Sequence, residues 1–146
     1  MPNQVKELRE LTGAGIMDCK RALDEAKGDL ELAKKIIAEK GQAKADNKAD
    51  RATGAGLLHS YIHGNRVGVL LLMRCETDFV SKNDSFQNLT HEIAMHIAAL
   101  NPASVEELLA QPFVKNPSET IEGLIKAAIG TIGENIKVEK FARFAI

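Results

Sequence analysis

The residues here whose types could do chemistry are four histidines, two cysteines, a close pair of glycines and one acid–aromatic step. His59 and His63 would share a strand face, but four residues of extended chain separate them by roughly 13 Å, too far for one metal ion. His91 and His96 are five apart. On a helix that puts the imidazoles roughly 140° apart, so they cannot share zinc as a His-x-x-x-His pair does. Spacing predicts His91 to be a solvated side chain and His96 a histidine at a packing boundary. Gly13-Ala14-Gly15 lacks the third glycine of a dinucleotide loop and the Gly-Lys-Ser/Thr of a triphosphate loop. It also follows a helix rather than a strand, so it reads as a tight helix–helix turn. Cys75 reads as a packed thiol at a strand end. No Ser/His/Asp or Cys/His arrangement and no pair of carboxylates at catalytic spacing can be argued. These residues offer little for an enzyme or a metal centre and more for a binding protein.

The stretch with binding potential is Cys75-Glu76-Thr77-Asp78-Phe79-Val80. It follows Val67–Met73, an apolar run short enough to be a buried strand. It precedes Ser81-Lys82-Asn83-Asp84-Ser85, which suits a turn and a helix start. Asp78 and Phe79 are therefore expected at the tip where a strand ends. Phe79 has two readings: it folds back as a lid on the core, or it is a wedge that buries itself in another protein.

Composition bounds the partner. The 146 residues make one domain, or one plus a small module. A net charge of −1, with 27% charged residues of both signs, gives no basic excess, so no direct nucleic-acid contact is expected. Cys19 and Cys75 form no CxxC pair, which suits a reducing cytosol and predicts a cytoplasmic protein. No apolar stretch approaches the roughly 18 residues of a membrane span.

The elements that must position this tip follow in order. Residues 3–41 read as three short helices. Asn3 caps the first, which presents Val5, Leu8 and Leu11; the second presents Cys19, Ala22, Leu23 and Ala26; Asp29 caps the third, which Gly41 ends. A polar, alanine-rich helical spacer follows, without a core role. Gly56–His63 and Val67–Cys75 read as a hairpin about Gly64-Asn65, the second strand being central in its sheet. Phe86, Leu89, Ile93, Ile97 and Leu100 mark a helix over 84–100. A short helix about Val105–Leu109 and a loop through Gln111-Pro112-Phe113 come next. Asn116-Pro117-Ser118-Glu119 looks like a capping box for a helix closed by Gly133. A last strand, Asn135–Phe144, has a bulge near Lys140-Phe141. The fold class is α+β: a three-helix domain over 1–41, a spacer over 42–55, and a core over 56–146 with a small antiparallel sheet packed on helices.

Six segments carry a resemblance over nearly the whole chain. They are Val5–Arg9 with Leu11–Lys20, Ser60–Leu70, Cys75–Val80, Ile93–Ala99, Gln111–Val114 and Ile132–Ile136. Together, in this order, they resemble bacterial elongation factor Ts, the guanine nucleotide exchange factors of elongation factor Tu. The resemblance implies a ubiquitin-associated-type (UBA-like) N-terminal domain and a role in translation elongation without covalent chemistry or a cofactor. It implies that Thr77, Asp78, Phe79 and Val80 enter the partner's nucleotide-binding domain and dislodge Mg²⁺. It also implies that Arg9, Ile16, Met17 and Lys20 grip a helix of that domain, and that His63 and His96 make partner contacts. The partner would be bound both with GDP and free of nucleotide. Short relatives with a single core are homodimers, so a homodimer is expected. Those relatives carry a long helical insertion between the matches to Asn101-Pro102 and Gln111-Pro112, where this chain has only Ala103–Ala110. A docking adaptor of the translation machinery without exchange activity is the alternative.

Overall fold

The computed structural model describes residues 2–146. Helices α1 (Pro2–Thr12), α2 (Ile16–Glu25) and α3 (Leu30–Lys48) come first, then strands β1 (Ala55–His63) and β2 (Val67–Cys75). Next are α4 (Asp78–Ser81), α5 (Asp84–Leu100) and α6 (Val105–Ala110), the short strands β3 (Pro112–Phe113) and β4 (Asn116–Thr120), α7 (Ile121–Ile132) and β5 (Lys137–Ala145). The architecture is α+β.

The first three helices close on their own small cluster of Leu8, Cys19, Ala22, Leu23, Ala26 and Ala33. Lys27 and Gly28, both at positive φ, end α2, and the Gly28 N–H donates to the Leu23 carbonyl at 2.9 Å. Asp29 caps α3 as expected, accepting from the Leu32 N–H at 3.2 Å. Three expectations fail here. Helix α1 begins at Pro2, so Asn3 lies within its first turn rather than at the cap. Leu11 is exposed rather than packed. Gly41 does not end α3, which runs on to Lys48 and buries Ala45 in the main core, so residues 42–48 are structural rather than a spacer. Helix α7 crosses α3 at this point, and Gly130 of α7 meets the Gly41 backbone so closely that only glycine fits at position 130. Lys126 of α7 adds an ion pair to Asp46 at 3.2 Å.

The main sheet is antiparallel, in the order β1-β2-β5. Strand β2 is central, as its apolar composition predicted, and the hairpin turns with Gly64 and Asn65 both at positive φ. Val69, Leu71, Met73 and Cys75 point inward onto α5, which buries Phe86, Leu89, Ile93 and Ile97; Leu100 is exposed, contrary to expectation. Arg143 of β5 closes this layer by donating from Nε and Nη2 to the Ala98 carbonyl at 3.2 and 3.0 Å. The bulge lies at Glu139: Leu72 pairs with Lys140 but Met73 with Val138.

The expected capping box at 116–119 is strand β4 instead. Thr120 caps α7, accepting from the Gly123 N–H at 3.0 Å, and the Gln111-Pro112-Phe113 segment supplies β3 rather than a loop. The opposite face of the main sheet carries Leu58, Ile62, Leu70 and Phe144, all exposed. Among the described residues no helix is long and apolar enough to cross a membrane.

Candidate functional site

The end of β2 turns at once into α4, one helical turn long. Thr77 is its cap, with extended backbone and a hydroxyl oxygen accepting from the Val80 N–H at 3.3 Å. Val80 and Ser81 point inward, and Ser81 Oγ donates to the Asp78 carbonyl at 2.8 Å. Phe79 points the other way. It is 82% exposed, while the adjacent Val80 is 5% exposed. The lid reading of Phe79 is therefore wrong: among the described residues the ring is left in solvent.

The turn is held from outside by the connection between α7 and β5. Glu134 Oε1 accepts from the N–H groups of Glu76 and Thr77 at 3.1 and 3.0 Å, and Oε2 accepts from Thr77 Oγ1 at 2.7 Å. In return the Glu76 carboxylate accepts from the Asn135 N–H at 3.1 Å and lies 3.7 Å from the Arg51 guanidinium. Asn135, buried, donates from Nδ2 to the carbonyls of Ala49 and Arg51 at 3.2 and 2.9 Å. The sequence reading missed this clamp, because its members are about 60 residues apart along the chain. Cys75 is buried behind the turn. Burial first, then the Glu134, Asp78 and Glu76 charges, push its thiol up, against a lesser opposing effect of its hydrogen bond to the Thr77 carbonyl. It stays a protonated packing group and not a nucleophile.

The other expected residues fall in three places. Arg9 lies in the last turn of α1, and Ile16, Met17 and Lys20 lie on the first turns of α2; all four are exposed. Spacings of three and four put Met17, Ile16 and Lys20 on one helix face, with exposed Leu11 as a further apolar neighbour in sequence. His63 is exposed at the far end of the hairpin, its Nδ1 paired with Tyr61 Oη at 2.9 Å. Because Ala55 pairs with Cys75 and His63 with Val67, eight residue steps put His63 roughly 26 Å from the strand end that leads to Phe79.

His96 is fully buried. Its Nδ1 accepts from the Val114 N–H at 3.1 Å, which leaves Nε2 to donate to Gln111 Oε1 at 2.9 Å. Both ring nitrogens are used inside the chain, so His96 ties α5 to the α6–β3 junction and offers no free atom to a partner. Burial holds its pKa below the ordinary value, with the Gln111 bond acting the other way. His91 is not a solvated side chain either. Its Nδ1 lies 3.1 Å from His59 Nε2 and its ring stands edge-on to Tyr61. Among the described residues, no group of three or more His, Cys, Asp or Glu is placed to hold a metal ion.

The family model described as "Elongation factor TS" matches residues 76–146, from Glu76 of the clamp to the end of the chain. Elongation factor Ts of Alkaliphilus metalliredigens is 40% identical over 187 residues, covering 97% of this chain and 87% of the relative. The chain belongs to the elongation factor Ts family. Elongation factor Ts of Coprothermobacter proteolyticus is 40% identical, covering 97% of this chain and 95% of the relative. Elongation factor Ts of Trichlorobacter lovleyi is 45% identical over 143 residues, and there the chain spans only 46% of the relative's length. The Alkaliphilus alignment is 187 positions long against 146 residues here, so at least 41 of its positions face no residue of this chain. Elongation factor Ts proteins are the guanine nucleotide exchange factors of elongation factor Tu in translation elongation.

Proposed function

We propose that this chain promotes GDP release from elongation factor Tu by inserting the exposed Asp78–Phe79 step into the partner's nucleotide-binding domain. The observation that carries the reading is the opposed pair at the tip: Val80 anchors the turn inward while Phe79 stands out in solvent. An exposed benzyl group on a turn clamped by three hydrogen bonds costs little further ordering when it docks. Burying it in a partner gains about 1.5–3 kcal/mol. Asp78, flanked by Thr77 and Val80, competes for the groups that order Mg²⁺ and phosphate. No bond is made or broken. A factor that binds the nucleotide-free partner more tightly must weaken nucleotide binding by the same ratio.

The wedge alone is too small for the whole coupling, so docking comes from elsewhere. Residues 1–41 serve as a UBA-like module whose Arg9, Ile16, Met17 and Lys20 hold a partner helix; the exposure of all four on α1 and α2 supports this. Helix α3 carries this module onto the main core, where Ala45 is buried. His63 makes a separate contact, well away from the wedge. His96 acts through the fold instead of touching the partner. The chain works in the cytoplasm as a homodimer, and the exposed apolar sheet face of Leu58, Ile62, Leu70 and Phe144 is the surface that suits a second copy.

The test is release of a fluorescent GDP analogue from elongation factor Tu. Phe79→Ala is expected to slow stimulated release at least tenfold with folding stability changed by no more than about 0.5 kcal/mol, as for an exposed side chain. Release at the wild-type rate would overturn the reading. Tight binding without any stimulation by the wild-type chain would favour the adaptor instead.

A further inference from the structure

Helix α4 has four residues, too few to hold its own shape, and Phe79 stands largely in solvent, 82% exposed. The direction must come from the residues that lead into it. Two of those, Glu76 and Thr77, give three donors to one carboxylate, that of Glu134. The Thr77 hydroxyl is engaged on both sides: its proton goes to Glu134 Oε2 and its oxygen receives the Val80 N–H. Committing the proton to Glu134 turns a lone pair toward α4, so the carboxylate sets the cap that starts the turn. Glu134 itself follows Gly133, whose φ of +89° ends α7, and precedes Asn135, which is fastened to the exit from α3.

We propose that Glu134 is a positioning residue for nucleotide release: its carboxylate orients the Thr77 cap and thereby fixes the direction in which Phe79 projects. This rests on the wedge reading above. Glu134 needs no contact with the partner for the effect. Two oxygens of a full carboxylate serve three donors at once. A glutamine keeps one oxygen for the two N–H groups but turns an NH₂ toward the Thr77 hydroxyl.

The experiment measures stimulated release from elongation factor Tu·GDP against concentration of the full chain, for wild type, Glu134→Ala, Glu134→Gln, Thr77→Val, Phe79→Ala and the Glu134→Ala/Phe79→Ala double variant. A positioning role predicts that Glu134→Ala lowers the maximal rate about tenfold while the half-saturating concentration changes less than about twofold. Glu134→Gln, which keeps the two N–H contacts but cannot accept the Thr77 proton, falls between Glu134→Ala and wild type. Thr77→Val, which leaves Glu134 in place, shows a comparable loss. The double variant is no slower than Phe79→Ala alone. A Glu134→Ala chain with the wild-type maximal rate, or one whose loss multiplies with that of Phe79→Ala, overturns the inference while leaving the wedge standing. If Phe79→Ala itself releases GDP at the wild-type rate, the exchange reading fails, and this inference with it.

Discussion

Gly130 of α7 passes so close to Gly41 of α3 that a β-carbon on Gly130 would lie 2.7 Å from the Gly41 Cα. The relation is one-sided: a β-carbon on Gly41 meets nothing within 4 Å. Gly130→Ala must push two backbones apart and is expected to cost about 1–3 kcal/mol. Gly41→Ala fills an open helical position and is expected to gain up to about 1 kcal/mol. Thermal unfolding of the two variants checks this, and opposite shifts in midpoint are the expected result.

Acid should weaken the fold through two histidines. Burial, then neighbouring His91, holds His59 below the ordinary histidine value of 6.5, and burial holds His96 below it. A depressed folded pKa means that the unfolded chain takes up protons first. The contribution is present above about pH 6.5 and is lost as pH falls through the folded values. The melting midpoint is expected to drop between pH 7.5 and 5.5. His59→Gln should flatten that drop, and an equal drop in both proteins would contradict it.

Leu70 lies at the middle of the exposed sheet face, on the central strand. Leu70→Lys should leave the chain folded and convert a dimer to a monomer of 15.9 kDa, read by light scattering at micromolar concentration. A wild-type chain that is already monomeric there would remove the dimer proposal.

Asn135 satisfies two carbonyls, those of Ala49 and Arg51, from a buried amide. Asn135→Ala leaves both short of a donor and is expected to cost about 1–3 kcal/mol. Asn135→Asp should cost more, since it sets a carboxylate against the same two carbonyls and near Glu76. Denaturant midpoints for the two variants decide the order.

Local signals in the sequence carried much of this fold. The Asp29 cap, the Gly64-Asn65 turn and the Gly133 stop each depend on one or two residues, the central place of Val67–Cys75 on one continuous apolar run, and all are found. What was not legible depends on neighbours far along the chain. Gly41 reads as a helix end, and nothing near it in sequence shows that α3 runs on to Lys48 under the crossing of α7. Asn116–Glu119 has the residue types of a cap, but pairing with β3 takes the segment and Thr120 caps instead. The exposure of Phe79 could not be chosen from spacing, because that depends on which side of a one-turn helix the core lies. The Glu134 clamp and the His59–His91 pair have no local signature at all.

Helix α3 sets one foot in each hydrophobic cluster, with Ala33 in one and Ala45 in the other. Its 19 residues make a beam roughly 28 Å long. Under the proposed function, Met17 and Phe79 would be the jaws of a caliper rather than two hooks on a slack tether. On that reading, seating one jaw would already give the bearing of the other, and each residue spliced into the beam would swing α1 and α2 by about 100°.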